Sequence, residues 1–236
     1  MKWIISNLKM NLTLPEIIEY ERKLSQIEFK NPFIVCPSLP FLAYFRSSNY
    51  HLGSQTVSYQ EEGSFTGEVS AKQLKSLNVE YTIIGHSERR QKLLENNIQI
   101  GKKIALLFQN GICPILCIGE EEKDMDIQTA IGSNLDEIFQ NIKEINNIII
   151  AYEPSWAIGT GSIPDNDTIE KTVHYIKTWF YNHYHYSVNV VYGGSVSTTN
   201  ILTLNKISNL DGYLLGGMSL DIESLKEIVK SVEVES

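Results

Sequence analysis

The sequence predicts an α/β protein, a single (β/α)8 barrel of eight parallel strands ringed by helices, spanning residues 1–236. Three observations predict it. Eight short runs are apolar without alternation, as strands buried on both faces of a parallel sheet must be. Amphipathic stretches separate the runs, so strand and helix signals alternate. The 236 residues give each unit roughly 30, and the whole lies near the ~250 typical of this barrel. Alternation alone also fits a doubly wound open sheet; the number of units and the length favour the barrel.

In chain order the apolar runs are Trp3–Ser6, Phe33–Cys36, His51–Ser54, Tyr81–Ile84, Ile112–Ile118, Ile148–Tyr152, Val188–Tyr192 and Gly212–Leu215. Helix signals fall between them. Thr13 is placed to cap a helix with Pro15 in its first turn and Glu16 at its third position. Ser70 opens SAKQLKSLN, whose Leu74 and Leu77 are spaced for one face. Gln99–Asn110 carries Ile100, Ile104 and Leu107, and Ile163–Tyr181 is a long amphipathic stretch with Pro164 near its start. Thr198 and Ser219 open the last two helices, while the short stretch Glu120–Asp136 predicts a trimmed fifth. No Pro/Gly/Ser-rich linker divides the chain, which is the pattern of one domain.

A formal charge of −8 argues against nucleic acid or an anionic membrane as partner, since both reward clustered Lys and Arg. It leaves a small anionic substrate open, because a few backbone N–H groups and one lysine make a local positive site. Cys36, Cys113 and Cys117 each sit in an apolar run and read as buried thiols of a reducing compartment. No Cys or His pair completes a zinc set, so no metal is expected. No stretch approaches the ~18 apolar residues of a membrane helix, and the N-terminal apolar run is too short for a signal peptide. The expected location is cytoplasmic, and the sequons at Asn11 and Asn166 read as chance matches.

In a barrel, chemistry gathers at the C-terminal ends of the strands. The first run ends in Ser6-Asn7-Leu8-Lys9, where a lone lysine is ordinarily just solvated. The fourth ends in Gly85-His86-Ser87-Glu88, with Ser87 placed to cap the next helix. His86 then stands at a helix N-terminus, where the dipole disfavours the imidazolium and a neutral ring can donate to a substrate oxygen; a histidine satisfied by local hydrogen bonds fits equally. The sixth run ends in Glu153, a carboxylate that is costly there without partners or a task. Pro154 and Gly159-Thr160-Gly161 bracket an apolar loop, the pattern of a hinged lid; a rigid loop over a buried salt bridge is the plainer alternative. The last two runs end in the glycine pairs Gly193-Gly194 and Gly216-Gly217, read together as an anion cradle and singly as ordinary turns.

NLKMN, GHSERR, AYEPSWAIGTG, YGGSV and DGYLLGGMSL, in that order, resemble the motifs of the triosephosphate isomerase family, and GSFTGE and CIGE agree. The resemblance covers nearly the whole chain and implies a TIM barrel. It implies an isomerase of glycolysis and gluconeogenesis that interconverts dihydroxyacetone phosphate and D-glyceraldehyde 3-phosphate through an enediolate, without cofactor. Carried over, Glu153 is the base and His86 the neutral electrophile. Lys9 supplies positive charge and Asn7 positions the substrate. The backbone of Gly159, Gly216 and Gly217, with Ser195, holds the phosphate. Glu88 and Cys117 stand behind these groups. The resemblance further implies a homodimer, with Thr66 in the Gly63–Glu68 loop reaching toward the neighbour's site. The chain departs from the family's usual GNWKMN at Ser6 and Leu8, and from an apolar hinge residue at Ser155. Another phosphate-binding barrel enzyme would share the glycine pairs without needing the Lys9, His86 and Glu153 set. A non-catalytic barrel would have lost one of the three.

Overall fold

The computed structural model describes residues 1–123, 125–157 and 163–233. Eight strands, β1 (Trp3–Asn7), β2 (Phe33–Cys36), β3 (His51–Ser54), β4 (Tyr81–Ile84), β5 (Cys113–Ile118), β6 (Ile149–Tyr152), β7 (Asn189–Tyr192) and β8 (Gly212–Leu215), pair in sequence order. β8 returns to β1 in parallel, Ile4 opposite Tyr213 and Ile5 opposite Leu214, so the sheet is a closed barrel and not an open doubly wound one.

Closure explains why the strand runs do not alternate. Along each strand successive side chains face opposite ways. Ile5, Ile34, Ile83, Ile115, Ile149 and Val191 fill the barrel interior. Their neighbours Ile4, Val35, Ile84, Leu116, Ile150 and Val190 pack outward under the helices. All three cysteines lie in the inner set and are free thiols. Burial pushes each thiol up, Cys113 to about 12.

The helices are α1 (Leu14–Leu24), α2 (Ala71–Ser76), α3 (Ser87–Leu93), α4 (Asn97–Gln109), α5 (Ser133–Phe139), α6 (Asn166–Tyr184), α7 (Ile201–Leu204) and α8 (Ile222–Glu233). Strict alternation fails in two places. The β2–β3 connection, short and carrying Pro37 and Pro40, makes only a 3-10 turn at Leu39–Tyr44. After β4 there are two helices: Leu94 adopts a left-handed φ of 55°, ending α3, and Asn96 starts α4.

Local chemistry moves several boundaries. Gln99 is the third residue of α4, returning its side chain to the Asn96 N–H at 3.2 Å while Asn96 Oδ1 takes the Gln99 N–H at 2.9 Å. Glu16 accepts both the backbone N–H and the hydroxyl of Thr13, at 2.7 and 2.6 Å. Asp165 caps α6 by accepting the Thr168 N–H at 2.8 Å, and Asp221 accepts the Ser224 N–H at 2.8 Å at the start of α8. Ser219 belongs instead to a 3-10 turn, Gly217–Ser219, and Thr198 precedes a single turn, α7. Leu77 ends α2 40% exposed, leaving Leu74 to anchor that helix. The fifth helix is trimmed, as expected, with a π turn at Gln128–Gly132 leading into α5. Among the described residues, no helix is long and apolar enough to cross a membrane.

Candidate active site

The C-terminal ends of β1, β4, β6, β7 and β8 open on a cavity of about 280 Å³, lined by Asn7, Lys9, His86, Glu153, Ser195 and Gly216 among others. Beyond β1 the backbone turns sharply at Lys9, whose φ is 52°. A left-handed non-glycine residue costs on the order of 1 kcal/mol, so something must hold it. Asn7 Oδ1 accepts the Lys9 N–H at 3.0 Å. The Lys9 carbonyl accepts from Ser38 Oγ at 2.7 Å and Gln55 Nε2 at 2.8 Å. Lys9 Nζ then reaches Glu88 Oε1 at 2.7 Å. Partial burial of Glu88 opposes its charge, but the Lys9 hydrogen bond and nearby positive charge outweigh it and hold the carboxyl below its ordinary pKa.

The cap of α3 is His86 and not Ser87. His86 Nδ1 accepts the Glu88 N–H at 3.2 Å. A nitrogen that accepts an amide proton carries none itself, so this geometry assigns the ring proton to Nε2. Nε2 faces Glu153 Oε1 at 3.3 Å.

Glu153 follows β6 and is 2% exposed. Its Oε2 accepts the Ser87 N–H at 3.3 Å, and burial together with this carboxylate pushes the Cys117 thiol up. Two glycines make this placement possible. A Cβ at Gly193 would stand 2.8 Å from Glu153 Cγ, and one at Gly119 would overlap the Glu153 carbonyl. A Cβ at Gly194 would strike the Tyr192 hydroxyl. Gly193 therefore makes room for the carboxylate and Gly194 for the Tyr192 hydroxyl, while both glycine pairs line the cavity. Among the described residues nothing lies within 4 Å of a Cβ on Gly217, and one on Gly216 would meet Lys9, at 3.4 Å.

After Glu153 the chain forms a 3-10 turn, Ser155–Ala157. Ser195 Oγ donates to the Ala157 carbonyl at 2.8 Å. Glu120 Oε1 gathers both Tyr152 Oη and Trp156 Nε1 at 2.9 Å, a link that spacing alone does not reveal. Gly159, Thr160 and Gly161 lie outside the described residues. Thr66 sits in an exposed loop beside the half-exposed Phe65 and does not line the cavity. Among the described residues, no group of three or more His, Cys, Asp or Glu side chains could hold a metal ion.

A buried carboxylate, a donor imidazole, a lysine and open backbone N–H groups at the strand ends of a closed barrel define a class: a barrel enzyme that moves protons on a small anionic carbonyl compound. Known proteins make this particular. The triosephosphate isomerase family model matches residues 2–232. The chain is 35% identical to the triosephosphate isomerase of Buchnera aphidicola subsp. Baizongia pistaciae (strain Bp) over 250 residues, 98% of each chain. It is 36% identical to that of Clostridium botulinum (strain ATCC 19397 / Type A), over 96% of this chain and 97% of the other. With the triosephosphate isomerase of Mycoplasmopsis pulmonis (strain UAB CTIP) it shares 33%, over 96% of both. The chain belongs to the triosephosphate isomerase family and is an isomerase that interconverts dihydroxyacetone phosphate and D-glyceraldehyde 3-phosphate in glycolysis.

Proposed function

We propose that residues 1–236 form one catalytic domain in which Glu153, His86, Lys9 and Asn7 carry out this isomerisation. The supporting observation is the buried Glu153 carboxylate 3.3 Å from His86 Nε2, in the cavity that Lys9 also lines. Glu153 removes a proton from the carbon next to the carbonyl, and the electron pair moves onto the carbonyl oxygen as an enediolate. His86 Nε2–H and Lys9 Nζ meet that developing charge with donors already in place. His86 gives its Nε2 proton to the enediolate oxygen and takes the hydroxyl proton from the neighbouring oxygen. The carbonyl re-forms on the first carbon as Glu153, now protonated, delivers its proton to the second. Triosephosphate isomerase is itself the standard example of a glutamate base beside a neutral histidine. Glu88 holds Lys9 in place, and the buried Cys117 stands behind Glu153. No cofactor takes part, because the proton leaves and returns through one carboxylate.

The phosphate binds to the N–H groups of Gly216 and Gly217, with Ser195 and Gly159, and the segment from Pro154 to Gly161 closes over it. The enzyme works in the cytoplasm as a homodimer, in which the exposed Thr66 loop reaches the partner's site, and it takes no nucleic acid or membrane partner. A coupled assay from glyceraldehyde 3-phosphate, with sedimentation in parallel, tests the reading. Turnover by a dimer is expected; loss-free turnover after Glu153→Gln removes the assignment of the base.

A further inference from the structure

We propose that Tyr20 is a positioning residue for the phosphate: through Ser219 its buried hydroxyl fixes the peptide planes of the Gly216–Gly217 turn. The inference rests on the reading of that turn as the phosphate site.

Tyr20 lies in α1 and is 5% exposed. Its hydroxyl donates to the Ser219 carbonyl at 2.7 Å, joining positions 199 residues apart. Ser219 in turn gives two hydrogen bonds to the Gly216 carbonyl, from its N–H at 2.9 Å and its Oγ at 2.7 Å. In a trans peptide the N–H of one residue points opposite to the carbonyl before it. Fixing the Gly216 carbonyl toward Ser219 therefore turns the Gly217 N–H the other way, in a turn whose two glycines line the cavity. The two glycines have no side chains with which to hold this orientation. Tyr20 supplies the anchor from outside the turn, on a different helix.

The phenol keeps its proton across the working range, since burial pushes its pKa up to about 12. The buried Ser6, which stands where the family's motif has glycine, adjoins the same phenol. The departure at the first strand thus borders the anchor while leaving Lys9 and Asn7 in place.

Tyr20→Phe keeps the ring and removes only the O–H. The KM for glyceraldehyde 3-phosphate and the inhibition constant for inorganic phosphate should rise together, by about threefold to tenfold, as expected for an unpaired buried carbonyl loosening the turn. Turnover of unphosphorylated glyceraldehyde should stay unchanged, because it does not use the cradle. A merely structural tyrosine would lower both substrates alike or neither, and either result overturns the proposal. Should Tyr20→Phe fail to fold, Ser219→Ala removes the Oγ bond of the second step, leaving only the N–H bond, and must show the same split in smaller measure. Absence of competitive inhibition of the unaltered enzyme by phosphate would remove the cradle itself. Normal inhibition in all three proteins would remove only the role of Tyr20.

Discussion

The glycine pairs after β7 and β8 look alike in the sequence and differ in what surrounds them. Gly193 and Gly194 are crowded, one against Glu153 Cγ and the other against the Tyr192 hydroxyl. Gly216 and Gly217 are open among the described residues, a Cβ on the first meeting Lys9 and one on the second nothing within 4 Å. A glycine is required either because the protein itself comes too close for a side chain or because a ligand must. At β7 the protein comes close, and the space saved lets a buried carboxylate sit beside His86. At β8 the described residues leave the space open. With the base beside the first pair and the phosphate on the second, as proposed, substitutions at the two should separate catalysis from binding.

The largest effect belongs to the carboxylate that the β7 pair accommodates. Glu153→Asp withdraws the base by one methylene from a site built around its present position. We expect kcat to fall about 10³-fold, within the range of general-base contributions, with inhibition by inorganic phosphate unchanged. An unaltered kcat would put the base elsewhere. Next comes Gly193→Ala, which sets a methyl 2.8 Å from Glu153 Cγ and must push the side chain aside. A displacement near 1 Å at a reacting group costs about 10²-fold, again in kcat and not in phosphate affinity. Equal losses in both would mean that the β7 pair also binds the anion.

How much of this was legible in the sequence differs between the two levels. The barrel was legible because its physics is local to each strand: Ile4 and Ile5 are both buried, so the run cannot alternate. The candidate site was legible where a polar residue stands at the end of such a run, as Glu153 does after Tyr152 and His86 does after Ile84 and Gly85. What stayed hidden depends on contacts between distant segments. Ser87 has the right residue type for a cap, yet the His86 ring turns back to take the Glu88 N–H first. Gly119 and Gly193 owe their identity to Glu153, which neither adjoins in sequence. Glu120 meets Tyr152 and Trp156 across two strand ends, and Tyr20 meets Ser219 across nearly the full chain. No spacing rule reaches such pairs. The missing helix after β2 was in principle readable from Pro37 and Pro40, which leave little room for regular hydrogen bonding.

Gly217→Ala examines the open side of the comparison. With nothing among the described residues within 4 Å of the added methyl, the fold should tolerate it and the melting temperature should hold. The methyl would stand where the phosphate approaches the N–H, so KM and the phosphate inhibition constant should rise about tenfold, equivalent to roughly 1.4 kcal/mol. A lower melting temperature with normal phosphate binding would show that this glycine, like Gly193, serves packing.

The smallest effect concerns the ion pair beside the open turn. Glu88 holds Lys9 Nζ at 2.7 Å, and a Cβ on Gly216 would touch the Lys9 side chain. Partial burial resists the carboxylate's charge, yet Lys9 keeps its pKa below the ordinary 4.5. A depressed acid stabilises the fold above its unfolded pKa and loses that contribution as pH falls through the lower, folded value. Glu88→Gln should therefore be less stable than the unaltered protein at neutral pH, and the two should converge below about pH 4.5. The gap will be modest, because the Glu88 side chain is substantially exposed and water screens the pair. Thermal unfolding measured from acid to neutral pH resolves it. A constant gap across that range would mean that Glu88 acts through packing alone. In that case Lys9 would owe its position to Asn7, Ser38 and Gln55, the residues that already clamp its left-handed backbone.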